Sequence, residues 1–164
     1  MDSNDTILFI VLIVLLALSA FFSSAETALT TVNRIRIRNL ADEGNKNAKI
    51  VLKITDDSSK MLTAILIGNN IVNLSASSLA TSLAIKIWGS VGAGIATGIL
   101  TVLILIFGEI SPKTLATVNS EKLALTYANV IEVLMKILTP VIFIINKLCL
   151  LYTSDAADEA RSVD

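Results

Sequence analysis

Three apolar runs of this chain each contain a small cluster of polar residues, and this combination constrains both the fold and the chemistry. The clusters occupy residues 19–23 (Ser-Ala-Phe-Phe-Ser), 68–73 (Gly-Asn-Asn-Ile-Val-Asn) and 108–113 (Gly-Glu-Ile-Ser-Pro-Lys). Polar groups inside hydrocarbon are costly unless they pair or bind a ligand, so they indicate a functional site. Their oxygens, in a chain without histidine, favour a hard cation over a soft metal.

The apolar runs are long enough to cross a lipid bilayer as helices. The chain has 164 residues, 54% hydrophobic and 16% charged, with a mean hydropathy of +0.75, which is too apolar for a soluble domain. The first run begins with Asp2 and Asp5 rather than with a basic region, which argues against a signal peptide. The sequence therefore predicts an all-α integral membrane domain with three transmembrane helices, at about residues 6–29, 61–85 and 89–110.

Basic residues are concentrated in the connection between the first two spans. Residues 34–60 contain three arginines and four lysines, whereas the turn after the second span contains only Lys86. The positive-inside rule places the basic connection in the cytoplasm, the N-terminus outside and the C-terminus inside. The net charge of −1 gives no argument for nucleic-acid binding, and the single cysteine, Cys149, excludes an intrachain disulfide or a thiolate zinc site.

Residues 120–139 form a predicted amphipathic helix at the membrane surface, in which Glu132 and Lys136 are spaced as an i, i+4 ion pair. Pro140 is expected to kink or end this helix. The apolar run after it is too short to cross comfortably, so a fourth crossing is the less favoured alternative. Residues 152–164 change abruptly to Asp, Ala, Glu and Ser, which predicts a disordered or non-native tail.

Two pairs of polar residues each lie on one helix face, because Ser19 and Ser23 are four residues apart and so are Asn69 and Asn73. One interpretation is that they only pack and hydrogen-bond neighbouring helices. At about 1.5 Å per residue, however, Ser19 and Asn69 fall at the same depth, near the bilayer midplane. Substrate sites of transporters lie at this depth. Asn70 lies on another face and is interpreted as a packing residue.

Glu109 is the charged residue of the third cluster. It is flanked by Gly108 and Pro112, which are expected to interrupt the helix and free main-chain carbonyls for a cation. The competing interpretation is that Glu109 marks the end of the third span and pairs with Lys113 at i, i+4. Glu26 is also ambiguous, since it either shares the face of the serine pair or ends the first helix in solvent, which is slightly favoured.

The three clusters together resemble a known family. Ser-Ala-Phe-Phe-Ser-Ser-Ala-Glu-Thr-Ala-Leu, Gly-Asn-Asn-Ile-Val-Asn and Gly-Glu-Ile-Ser-Pro-Lys, in this order, resemble the transmembrane domain (domain of unknown function 21) of the CorC and CNNM (cyclin M) magnesium transporters. The resemblance covers about residues 5–150. The Glu-Thr-Ala-Leu and Pro-Lys endings are similar to the bacterial branch, which implies a multi-pass protein of the bacterial plasma (inner) membrane.

The resemblance implies a homodimer in the lipid bilayer that transports Mg²⁺, in the direction of efflux and with Na⁺ as the candidate exchange ion. Residues 1–151 would form the transmembrane cation-transport domain, and the cytosolic CBS-type regulatory domains of the family would be missing from this chain. The metal ligands of the family map by motif onto Ser19, Ser23, Asn69, Gly108 through its carbonyl, and Glu109, with Asn73 as a further candidate.

Other functions remain open from the residues alone. The same oxygens suit a carrier of Na⁺ or another cation. A different class is a membrane anchor or Mg²⁺ sensor for the missing cytosolic domains, which would bind the ion without moving it. An enzyme is the least favoured class, because the chain has no histidine and no paired intramembrane aspartates.

Overall fold

The chain is helical along the part that the structure describes. The structure is a computed structural model that describes residues 3–161, with side-chain environments for residues 5–145, except 90 and 93, and for residue 147. This architecture confirms the predicted all-α membrane fold. The helices are Ser3–Thr31 (α1), Arg34–Asp42 (α2), Lys46–Asp56 (α3), Ser58–Leu103 (α4), a π-helix at Ile104–Ile110, Ser111–Val118 (α5) and Ser120–Arg161 (α6).

Four segments of the described chain are long and apolar enough to cross a membrane by length and composition. They are Asp5–Thr31, Ser58–Gly89, Gly94–Val118 and Ser120–Ile145. The first three overlap the three predicted spans. The fourth contains the predicted surface helix, so the less favoured fourth crossing has the length and composition that it requires.

Gly89 divides α4 into a first arm (58–88) and a second arm (90–103). Its φ of 70° lies in the left-handed region, which favours glycine, and the helix direction changes there. The first arm runs antiparallel to α1, because Asp5 pairs with Lys86 at one end and Ser19 contacts Asn69 halfway along. The second arm and the π-helix then return alongside α1.

Helices α2 and α3 form the basic connection, and capping residues set their boundaries. Asn33 accepts from the main-chain N–H of Ile35 and Arg36 at 3.0 and 3.2 Å, and Asn45 accepts from Ala48 at 3.1 Å. Such caps satisfy N–H groups that the first helical turn leaves unpaired. The turn between the two helices is at Gly44, whose φ is 97°. We call the end of the bundle that carries α2 and α3 the basic end.

The hydrophobic core lies at the basic end and is built largely from small residues. Seven alanines from α1, α3, α4, α5 and α6 are fully buried: Ala25, Ala28, Ala48, Ala64, Ala116, Ala124 and Ala128. Small side chains let helix backbones approach closely. Ile37, Met61 and Ile131 fill the remaining space and are at most 1% exposed. The core therefore holds α1 and α4 in a fixed relation near the polar clusters.

Helix α6 is longer than the sequence predicts. It passes through Pro140 without ending, and residues 152–161 are helical where a disordered or non-native tail is predicted. Neighbouring helices help membrane helices to tolerate proline, and Ile142, two residues later, is packed at 3% exposure. Alanine, glutamate and arginine in residues 152–161 favour helix, which the compositional argument for disorder does not weigh. Residues 162–164 lie outside the described part.

Candidate cation site

The two serines of α1 are buried and face different neighbours. Ser19 and Ser23 are each 1% exposed. Ser19 Oγ donates to Asn69 Oδ1 of α4 at 3.5 Å, and Ser23 Oγ donates to the main-chain oxygen of Glu109 at 3.3 Å. Both hydrogen bonds are long, so the hydroxyls are not locked to their partners. The serine face of α1 therefore joins the first arm of α4 to the π-helix.

Gly108 allows the π-helix to approach α1. A Cβ atom at this position would lie 2.9 Å from Ser19 Oγ and 3.4 Å from Ser19 Cβ. A side chain of any size would therefore push the two helices apart or displace the serine. Gly68 has a similar role on α4, where a Cβ atom would lie 2.7 Å from the Phe22 ring. Glycines at these two positions bring the α1 serines, α4 and the π-helix together.

The main chain around Gly108 differs from the predicted break. The helix continues, but with π-type hydrogen bonds, and Ser111 N–H donates to the carbonyl of Ile106, five residues earlier. Pro112 has no N–H, so it cannot donate to the carbonyls four and five residues before it, those of Gly108 and Phe107. Carbonyl oxygens without a helical donor are suitable cation ligands. Pro112 thus removes one possible donor to each of these carbonyls, and the freeing of carbonyls for a cation stays a prediction.

Glu109 does not form the predicted alternative pair with Lys113. Lys113 Nζ instead lies 3.4 Å from Glu26 Oε2, and both of these side chains are nearly half exposed. Within the described residues, the Glu109 carboxylate has no hydrogen bond or ion pair. Glu26 consequently lies in an exposed ion pair near the end of α1, in line with the favoured interpretation of that residue. Glu109 is thus without the predicted ion pair, and its main-chain oxygen is the atom that contacts Ser23.

Asn73 carries an oxygen that nothing satisfies. Its Oδ1 atom is buried without a hydrogen-bond partner among the described residues. A buried polar atom without a partner costs about 1–3 kcal/mol, which a bound ligand would offset. Asn73 lies one turn beyond Asn69 on the same helix face. Asn70 is exposed, so it does not belong to this face.

The structure thus brings five of the six predicted residues into contact, and it places the sixth, Asn73, one turn away. The five are Ser19, Ser23, Asn69, Gly108 and Glu109. Two hydroxyls, one carboxamide oxygen and the main-chain oxygen of Glu109 meet there. Among the described residues, no three His, Cys, Asp or Glu side chains cluster as a metal site. A search for acidic clusters would therefore miss this place. The donor set suits a hard cation, which oxygen ligands bind.

Sequence reasoning missed the aromatic support beneath the serines. Phe21 packs edge-to-face against Phe22 and Tyr127, with ring centroids 5.4 and 4.7 Å apart. Ser24 Oγ lies 3.4 Å from the Tyr127 hydroxyl of α6. The Phe-Phe sequence was visible within the first cluster. The partner of Phe21, Tyr127 of α6, lies about one hundred residues later in the chain and gives no local signal.

The fold and these oxygens define a helical membrane domain with a candidate cation site. The family model described as "Cyclin M transmembrane N-terminal domain" matches residues 10–161. The chain therefore belongs to the cyclin M (CNNM) transmembrane domain family. This match confirms the resemblance that the three motifs carry.

Curated relatives agree with this assignment. The chain is 43% identical over 139 residues to a UPF0053 protein of Haemophilus influenzae, covering 85% of this chain and 33% of that protein. It is 39% identical over 129 residues to the UPF0053 inner membrane protein YfjD of Escherichia coli, covering 79% and 30%. A chloroplastic DUF21 domain-containing protein of Arabidopsis thaliana is 41% identical over 132 residues, with 80% and 20% covered. The chain spans about a third or less of the length of these relatives.

Proposed function

We propose that this domain transports Mg²⁺ across the membrane through a site formed by Ser19, Ser23, Asn69, Gly108 and Glu109. The observation that carries the proposal is that Ser19 and Ser23, both buried, contact Asn69, Gly108 and the main chain of Glu109. Membership in the cyclin M family, which is associated with magnesium transport, supports Mg²⁺ as the ion. The family is of the transporter type, so no catalytic role is assigned.

The position of the site supports passage across the membrane. Ser19 lies twelve residues from both Ile7 and Thr31, or about 18 Å from each along α1. A helix spanning about 30 Å of hydrocarbon has its midplane there. An ion at Ser19 is thus far from both membrane surfaces. Transporters bind their substrates at this depth, near the midplane.

The chemistry of the donors supports release as well as binding. Mg²⁺ prefers six oxygens at about 2.0 to 2.1 Å and loses its water reluctantly. Two hydroxyls, one carboxamide and a carbonyl replace water with neutral oxygens, and the Glu109 carboxylate supplies one negative charge. A single charge against a dication binds without permanent capture. We propose efflux as the direction and Na⁺ as the exchange ion.

Magnesium flux tests this function. The chain reconstituted in liposomes should move Mg²⁺, as reported by a trapped magnesium-sensitive dye, and a Na⁺ gradient should drive the flux. Binding without flux would identify the alternative, an Mg²⁺ sensor or anchor for cytosolic domains. Flux of Na⁺ alone would identify a sodium carrier. Because the relatives are about three times longer, CBS-type cytosolic domains are proposed as partners of this domain in the whole protein.

We propose a homodimer that uses the second arm of α4. Gly94 and Gly98 are four residues apart and exposed, and a Cβ atom at either would meet nothing within 4 Å. Such a pair on a membrane helix permits close helix association. Gly98→Ile should leave the protomer folded but shift dimers toward monomers in nanodiscs by about tenfold. Ile95→Leu on the adjacent face is the control, and an unchanged dimer in Gly98→Ile would refute this interface.

We propose that the basic end faces the cytoplasm and the N-terminus faces outside, in the inner membrane of a bacterium. The seven basic residues of 34–60 support this orientation. In a Cys149→Ser background, a cysteine replacing Val91, which is 76% exposed, should react with an impermeant reagent outside intact cells. A cysteine replacing Asn45 should not. The reverse labelling would overturn the orientation.

A further inference from the structure

A groove of about 560 Å³ lies between α1, α5 and α6, on a different side of α1 from the cation site. Its walls are apolar along most of their length and include Ala17, Phe21, Leu115 and Leu123. Besides Ser24, its polar lining residues are Asn119, Lys122 and Tyr127, at and just after the junction of α5 and α6, and we call this the polar end of the groove. The cation-site oxygens of Ser19 and Ser23 do not line it. The groove is therefore separate from the cation site.

Lys122 is the cation at the polar end of the groove. It is exposed and forms no ion pair with any residue that the structure describes. Its neighbour Glu121 pairs with Arg36 of α2 at 2.6 Å. This pair belongs to the basic end, where charged residues leave the hydrocarbon. Lys122 thus lies at the level of the lipid headgroups with its charge free for an anion.

The Tyr127 hydroxyl supplies a second polar group. Ser24 Oγ donates its one proton to the carbonyl of Phe21 at 2.9 Å, the shorter of its two contacts. The Tyr127 proton is then free to be donated to Ser24 or into the groove. Tyrosine with a buried ring and a wet hydroxyl is typical of the membrane interface. The polar end therefore offers one cation and one hydroxyl donor.

The apolar part of the groove extends from this level into the hydrocarbon. From Ser24 to Ala17 the groove follows α1 for seven residues, or about 10 Å. A charged end at the headgroup level and an apolar length of this size match the glycerol-phosphate region and the first part of an acyl chain. We propose that the groove binds one anionic phospholipid from the leaflet at the basic end. Lys122 contacts the phosphate, and the acyl chain lies along Ala17 and Phe21.

Lipid binding by the whole chain tests this assignment. Native mass spectrometry would compare phosphatidylglycerol with phosphatidylcholine carrying the same acyl chains. The chain should retain phosphatidylglycerol more strongly, and Lys122→Gln should weaken its binding about fivefold, with a smaller effect on phosphatidylcholine, whose choline group offsets the phosphate charge. The matched control is Lys49→Gln on α3, an exposed lysine that does not line the groove. Equal losses in the two variants would overturn the proposal, because they would report general surface charge.

The apolar part of the groove is tested by a separate variant. Ala17 is exposed toward the groove, so Ala17→Trp fills the groove without entering the core. It should weaken binding of both lipids, with an unchanged melting temperature as the check on folding. Free glycerol phosphate should not compete at equal concentration, since it lacks the chain. Unchanged lipid binding in Ala17→Trp, competition by glycerol phosphate, or cross-linking of two copies through Ala17→Cys would each overturn the proposal.

Discussion

The two ends of the helix bundle are packed in different ways. At the basic end, fully buried alanines such as Ala25, Ala28 and Ala64 bring five helices into close contact. At the opposite end, α1 and the two arms of α4 border an open apolar pocket of about 370 Å³, lined by residues such as Phe9 and Leu100. One end resembles a closed protein core, whereas the other leaves space between its helices.

The candidate cation site lies where these two regions meet. Ser19 and Gly108 are in close contact at the border of the alanine core, and Asn73, with its unpaired oxygen, lies one turn toward the cavity. A close-packed core fixes ligand positions, since packed interiors deform little. Helices around a loosely filled region separate at a lower free-energy cost. We therefore expect the basic end to keep its packing and the opposite end to move when the ion passes.

The largest effect is expected from the charge at the site. Glu109→Gln keeps the shape but removes the anion, and a carboxylate about 4 Å from a unit charge is worth several kcal/mol even at an effective dielectric constant of about 20. Magnesium affinity should fall at least about a hundredfold in isothermal titration calorimetry. Glu26→Gln removes the other nearby carboxylate, in the exposed pair with Lys113, and should bind almost as the parent does. Equal behaviour of the two variants would refute the role of Glu109.

The second prediction concerns the close approach of Gly108 to Ser19 at the border of the alanine core. In Gly108→Ala the new Cβ atom would lie 2.9 Å from Ser19 Oγ, so the helices must shift. Overpacking costs about 1–3 kcal/mol, and magnesium affinity should fall about tenfold, with a lower melting temperature. Gly94→Ala is the matched control, because its Cβ atom meets nothing within 4 Å. Parent-like binding by Gly108→Ala would show that the close contact does not shape the site.

Removal of a neutral ligand should have a smaller effect than removal of the Glu109 charge. Ser23→Ala and Asn69→Ala each remove one oxygen from the site, at a cost of about 1–2 kcal/mol, or roughly tenfold in magnesium affinity. The exposed neighbour Asn70 provides the control, and Asn70→Ala should change the affinity less than twofold, which calorimetry resolves. If Asn70→Ala weakens binding as much as Asn69→Ala, the ligand face of α4 has been assigned wrongly.

The smallest effect is expected at the opposite end. Asp5 and Lys86 form an ion pair there, with Lys86 about half exposed. Partly exposed pairs contribute about 0–1 kcal/mol, so Asp5→Asn should lower the melting temperature only slightly. Magnesium affinity should remain that of the parent. A large loss of affinity would show that the two ends are coupled more tightly than their packing suggests.

The helical fold was predictable because long apolar runs leave few alternatives in a membrane. The three polar clusters were recognisable as candidates for a related reason: Ser19, Asn69 and Glu109 are polar at positions where polar groups are costly. Their role as ligands stays a prediction. The Glu132–Lys136 ion pair follows from a local rule, and the structure contains it. Where the signal was local and chemically strong, the sequence was sufficient.

Features that depend on long-range contacts were not predictable from the sequence. Lys113 has two carboxylates within reach, and its partner is Glu26 rather than Glu109 because α1 and α5 are adjacent. The π-helix depends on how hydrogen bonds shift before Pro112, which composition does not determine. The continuation of α6 through Pro140 reflects packing of residues such as Ile142. Each depends on which helices become neighbours.

Locating the ion tests the central claim most directly. An experimental structure of the chain with Mn²⁺ in place of Mg²⁺ would show the ion by its anomalous scattering. We expect one peak between α1, α4 and the π-helix, bound by Ser19, Ser23, Asn69 and Glu109, that disappears when Mg²⁺ is added in excess. A competable peak elsewhere in the membrane region, with none beside Ser19, would contradict the account.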